Sequence, residues 1–87
     1  MKFLYREKFN KNYPKLNNKI KSRFEERLTL FSKEPCSRLL NPHKLNGKYE
    51  GSWSINVTGD YRAIFYYEDN KKIATFINIG THSELFG

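Results

Sequence analysis

Gly51-Ser52-Trp53-Ser54-Ile55-Asn56-Val57-Thr58-Gly59-Asp60-Tyr61-Arg62-Ala63-Ile64-Phe65 is the stretch from which the fold is read. Trp53, Ile55 and Val57 alternate with Ser52, Ser54 and Asn56. A strand has this period of two, because its successive side chains point to opposite faces. Thr58-Gly59-Asp60 predicts a tight turn, with Gly59 taking the positive φ that a hairpin needs. Tyr61 to Tyr67 reads as a second strand, Glu68-Asp69-Asn70 as a second turn, and Ile73 to Ile79 as a third strand. The last two strands are apolar on both faces, which predicts a place at the centre of the sheet.

Upstream of this meander the period changes to that of a helix. Phe9, Tyr13, Leu16, Ile20, Phe24, Leu28 and Phe31 recur at three- and four-residue steps and so share one face. Pro14 interrupts the run and suits the first turn of a new helix. The prediction is a short helix near 6–12 and a long one near 14–33, stopped by Glu34-Pro35. Residues 2–5 form a short first strand. Downstream, Thr81-His82-Ser83-Glu84 fits a capping box that starts one helical turn and sets Leu85 and Phe86 against the sheet. The expected fold is one α+β domain over residues 1–87. Its two helices pack on one face of a mainly antiparallel, twisted sheet, and the other face is left for a partner.

Composition narrows the function. Seven Phe, six Tyr and one Trp supply most of the apolar volume of the 87 residues, an ordinary globular make-up. Arg6 interrupts the opening Met1–Tyr5 before any signal-peptide core develops, and no later stretch is apolar enough to span a bilayer. Without such a stretch no membrane partner is expected, and Cys36, the only cysteine, forms no internal disulfide, so a reducing cytoplasm is expected. Two histidines and one cysteine without ligand spacing predict no metal site, and no cofactor motif is present.

The net charge of +7 is unevenly spread. Residues 1–48 hold 13 Lys and Arg against 4 Asp and Glu, whereas residues 49–87 hold 3 against 5. A basic half suggests a polyanion, or an acidic protein that covers it; a merely solubilising surface is the plain alternative. Lys15, Lys19, Arg23 and Arg27 follow i, i+4 spacing, which predicts a basic ridge along the long helix.

The polar residues fit for chemistry lie at strand ends and turns. Arg62 interrupts an apolar strand, where a guanidinium needs an anion: a structural pairing with Asp60, or a phosphate. His82 opens the final turn, and imidazole is the side chain that exchanges protons near neutral pH. His43 follows Asn41-Pro42 and is expected in a loop. Phe86 either packs in the core or stacks on a base.

These residues fall in blocks: His43-Lys44-Leu45-Asn46-Gly47, Gly51 to Ile55, Gly59-Asp60-Tyr61-Arg62-Ala63-Ile64-Phe65 and Gly80-Thr81-His82-Ser83-Glu84-Leu85-Phe86. Their order and spacing resemble the RelE/ParE toxin superfamily, most closely its YafQ-like branch, over nearly the whole chain. The resemblance implies a toxin of a type II toxin–antitoxin module, a ribosome-dependent endoribonuclease acting on mRNA. Its partners would be an acidic antitoxin encoded nearby and, only through that complex, operator DNA. His43, Asp60 and His82 match acid/base positions of the branch, and Phe86 matches an active-site aromatic. Arg62 matches an arginine that supports the scissile phosphate in RelE-like relatives. Asn56 stands where relatives can have another histidine, and Tyr61 replaces a tryptophan.

The implied chemistry is metal-independent attack of a ribose 2′-hydroxyl on the adjacent phosphate. Arg62 would carry charge, His82 would be the acid, and His43 or Asp60 the base. Lys44, Lys48 and the Lys15–Arg27 ridge would hold RNA phosphates. The alternatives are a non-catalytic poison of DNA gyrase, as among ParE relatives, and an inactive member that binds antitoxin and DNA.

Overall fold

The computed structural model describes residues 1–87, and its chain order is that of an α+β protein. Lys2–Tyr5 (β1) leads into Glu7–Asn12 (α1), a 3-10 turn at Tyr13–Lys15, and Asn18–Lys33 (α2). The sheet continues with His43–Lys44 (β2), Trp53–Asn56 (β3), Tyr61–Glu68 (β4) and Ile73–Thr81 (β5), and His82–Phe86 (α3) closes the chain. Spatially the strands run β1-β5-β4-β3-β2. β1 pairs with β5 in parallel and all other neighbours are antiparallel. β4 and β5 are therefore central, as their two-sided apolar sequence predicts.

One irregularity decides which side chains meet the helices. Ile64 pairs with Asn78 but Phe65 pairs with Phe76, so Ile77 is an unpaired bulge. A bulge resets the alternation of its strand. Phe76 and Ile79 therefore both reach the core although they are three residues apart. Phe9, Phe24, Leu28 and Phe31 come down on that face. Phe24 meets Phe76 edge-on at 5.3 Å between ring centroids, and Phe31 meets Phe65 likewise at 5.0 Å.

Several local expectations are corrected. The long helix starts not at Pro14 but at Asn18, because Leu16 is extended and the Asn17 side chain caps the helix by accepting from the Ile20 amide at 3.0 Å. Pro14 instead sits in the 3-10 turn. Losing the cap in Asn17→Ala costs about 1 kcal/mol. Thermal melting should show this as a fall of about 4–8 °C in Tm. Gly59 does not take a positive φ. The turn before β4 is held instead by the Thr58 hydroxyl, which accepts from the amides of Asp60 at 3.3 Å and Tyr61 at 3.0 Å. The second turn places Asp69, Asn70 and Lys71 at φ of 50°, 54° and 66°, left-handed values that Asn and Asp tolerate best.

Burial raises the pKa of Tyr5, Tyr13 and Tyr67 from the ordinary 10.0, and the negative charge of Glu25 adds to the shift at Tyr5 and Tyr13. Tyr13, which also donates to Glu25 at 3.2 Å, is pushed up to about 12. A raised acid favours its neutral form in the fold. The resulting stability is complete below pH 10, and it is lost as pH rises through the folded value. Denaturant melts should hold steady below pH 10 and weaken above it.

No helix is long and apolar enough to cross a membrane.

Candidate active site

The side chains that face away from α1 and α2 build the site. His43 pairs with Ser54, and Asn56 pairs with Arg62, across neighbouring strands. Directly opposed residues share a sheet face, so these four project together while Ile55 and Ala63 project into the core. α3 then brings His82 and Phe86 over the same region. Asn41, His43, Leu45, Ser54, Arg62, His82 and Phe86 line one cleft of about 270 Å³. The face opposite the helices is thus partly roofed by α3 rather than wholly open.

His43 does not lie in a loop but in the two-residue edge strand β2. Asn41 takes a φ of 44°, and its carbonyl meets Nδ1 of His43 at 3.0 Å. A carbonyl only accepts, so Nδ1 donates, and in the neutral ring Nε2 carries the free lone pair. The position of His43 is therefore suited to taking a proton.

Arg62 forms no ion pair with Asp60; Arg23–Glu26, at 3.4 Å on the surface of α2, is the only ion pair in the molecule. Nη1 of Arg62 instead donates to the backbone carbonyls of Thr58 at 2.9 Å, Tyr61 at 3.1 Å and Gly59 at 3.3 Å. One end of the guanidinium is fixed by the turn, and Nε and Nη2 have no partner within the protein. A half-buried cation fixed in this way suits an anion brought to it.

His82 is exposed, and α3 holds it in place. Thr81 Oγ1 accepts from the Glu84 amide at 3.2 Å, and Glu84 Oε1 accepts from the Thr81 amide at 2.7 Å, the expected capping box. Gly80 leaves room for it, since a Cβ there would meet Glu84 Oε1 at 3.0 Å. The His82 amide donates to the Asp60 carbonyl at 3.1 Å. Asp60 thus anchors α3 through its backbone, while its exposed carboxylate does not line the cleft. The rings of His82 and Phe86 lie 4.9 Å apart, and Tyr49 stands edge-on to Phe86 at 5.8 Å.

The predicted cations scatter. Lys44 lies over the Trp53 ring at 5.6 Å, on the face opposite His43. Lys48 lies over Tyr49 at 5.1 Å. Lys15 precedes α2 and is not part of a ridge on it; Lys19, Arg23 and Arg27 are on α2, away from the cleft. Arg23 is paired with Glu26, and Nε of Arg27 donates to the Val57 carbonyl at 3.3 Å. Nothing in the sequence singles out Asn41, Leu45 or Ser54 for chemistry. Ser54 is fully buried, and its Oγ has no hydrogen-bond partner. Its only signal is its place in the polar register of Ser52, Ser54 and Asn56, which the two-residue alternation sets on one face. No group of three or more His, Cys, Asp and Glu side chains is placed to hold a metal ion.

Residues 1–87 match a family described as bacterial toxin of type II toxin-antitoxin system, YafQ. Among solved structures, YafQ from E. coli strain BL21(DE3) superposes with a TM-score of 0.77 at 22% identity, over 98% of this chain and 97% of that one. The YoeB/ParE toxin from Agrobacterium tumefaciens also gives a TM-score of 0.77, at 18% identity, over 94% and 99%. An E. coli DinJ-YafQ complex gives 0.70 at 24% identity, over 98% and 97%. These likenesses establish the fold. No curated protein matches the chain in sequence.

Proposed function

Because the chain belongs to the YafQ family of toxins of bacterial type II toxin–antitoxin systems, we propose that it is an endoribonuclease that cleaves mRNA on the ribosome. The observation that carries this reading is the convergence of His43, Arg62, His82 and Phe86 on one cleft. They come from an edge strand, a central strand and the last helical turn. A surface built only for binding needs no such set of proton carriers around a cation.

The proposed reaction is an internal transfer. Nε2 of His43 takes the proton of the ribose 2′-hydroxyl as that oxygen attacks the adjacent phosphorus. The P–O5′ bond breaks as His82, in its imidazolium form, donates a proton to the leaving 5′-oxygen. The products are a 2′,3′-cyclic phosphate and a 5′-hydroxyl. Arg62 balances the charge that builds on the phosphorane oxygens through Nε and Nη2. Phe86 stacks on a neighbouring base, which is worth about 1–3 kcal/mol. His43 is preferred to Asp60 as the base, because His43 lines the cleft and the Asp60 carboxylate does not. Asn56 faces the same way as Arg62, but its amide neither takes nor releases a proton at neutral pH, so the two histidines bear both transfers.

A shallow cleft with few subsites needs its substrate positioned from outside, and the ribosome does so at high effective concentration. Control falls to a cognate antitoxin, for which the DinJ-YafQ complex is the precedent. Its expected character is acidic, against the net charge of +7. RNA 5′ ends mapped after brief expression test the proposal. New ends within translated messages are expected. Intact messages with accumulating DNA breaks point to a gyrase poison, and neither effect points to an inactive member.

A further inference from the structure

A second concave surface adjoins the cleft. It consists of two hollows, of about 740 and 460 Å³, that share Lys8, Asn12, Lys15, Tyr49 and Asn78. Arg6 and Lys11 line the first, and Lys48 the second. Lys8, Lys11 and Lys15 follow one another at three- and four-residue steps along α1 and the 3-10 turn, so they line up on one side. None of these five cations is ion-paired. The only acids that line the two hollows are Glu7 and Glu84, and Glu84 is engaged in its capping box.

The groove also contains groups that can read a base. Asn78 is 7% exposed. Its Oδ1 accepts from Asn12 Nδ2 at 2.8 Å and from the Ile79 amide at 2.9 Å, which leaves its own Nδ2 a free donor. Tyr49 lines both hollows and touches Phe86, which in turn touches His82. A line of three rings thus joins the groove to the cleft.

We propose that this groove binds the single-stranded RNA substrate on one side of the scissile bond. The lysines and Arg6 take the phosphates, Tyr49 stacks on a base, and the Asn78 amide bonds to a base carbonyl or a 2′-hydroxyl. The identity of the strand rests on the nuclease reading above. Unpaired cations beside a stacking ring suit a nucleic-acid strand. The first hollow offers only Tyr49 and Ile77 as apolar lining, and the second adds Leu16, Tyr61 and the buried Ile79 and Leu85. That is too little exposed apolar surface for the centre that a protein helix would need. Continuity with the cleft selects the strand being cleaved over distant ribosomal RNA.

The test is titration of a labelled single-stranded RNA dodecamer at several salt concentrations, on full-length chains that also carry His82→Ala to silence cleavage. Lys8→Ala/Lys11→Ala should lower the slope of log K against log salt by about 1.4, since each lost phosphate contact of a single strand contributes about 0.7. Tyr49→Leu should weaken binding about tenfold with the slope unchanged. The two lysines are exposed, so their replacement leaves the fold intact and the slope alone decides if the Tyr49 variant fails to fold. Unchanged dodecamer binding in the lysine variant overturns the proposal. So does unchanged binding accompanied by lost affinity for ribosomes or for an acidic helical peptide. The binding readout needs no turnover. A wild-type chain that binds the dodecamer through these lysines but cleaves no message refutes the nuclease reading and leaves the groove in place.

Discussion

His82→Ala is expected to cut ribosome-dependent mRNA cleavage by about 10²- to 10⁴-fold, the range that a positioned acid or base contributes. The melting temperature should barely move. The imidazole is exposed and makes no side-chain hydrogen bond, while the capping box and the His82 amide bond to Asp60 survive the change. Antitoxin binding should survive with the fold. Loss of activity without loss of structure would mark His82 as a proton carrier, whereas wild-type rates in the mutant would remove it from the mechanism.

Arg62→Ala should show the opposite signature, with activity and stability falling together. Loss of charge stabilisation at the phosphorane costs about 10²- to 10³-fold in rate. The three carbonyls of the 58–61 turn lose a cationic donor as well, and hydrogen bonds to charged groups contribute about 1.5–3 kcal/mol. Arg62→Lys restores the charge but not the fork, so it should recover part of the rate at best. Because Arg62 and Asp60 form no ion pair, Asp60→Asn should leave the melting temperature unchanged. A large fall there would revive the salt-bridge explanation of Arg62.

The parts of this fold that were legible in sequence are those set by neighbours along the chain. The two-residue alternation around Trp53–Val57, the apolar stripe from Phe9 to Phe31 and the Thr81–Glu84 capping box each depend on contacts within a few residues. β2 could not be found this way, since two residues become a strand only by pairing with Ser54 and Trp53. Pro14 is a strong local signal that masks the true start of α2, whereas the extended Leu16 becomes visible only in three dimensions. The same break separated Lys15 from the supposed ridge and turned it towards Lys8 and Lys11. Among the candidate site residues, position along the chain suggested His43, Arg62, His82 and Phe86, but not that Asp60 acts through its carbonyl. Nor does it suggest Tyr49, an aromatic at the end of the polar 3-10 turn Gly47–Tyr49 that shows its use only where it meets Phe86.

The nuclease mechanism is tested most directly by the chemistry of the ends it leaves. The purified chain is incubated with ribosomes stalled on a defined message, and the termini of the fragments are identified. Attack by the 2′-hydroxyl predicts a 2′,3′-cyclic phosphate, or the 3′-phosphate it opens to, facing a 5′-hydroxyl, and neither should form with His82→Ala. Fragments with a 3′-hydroxyl and a 5′-phosphate would contradict the mechanism, and an uncut message would contradict the nuclease reading itself.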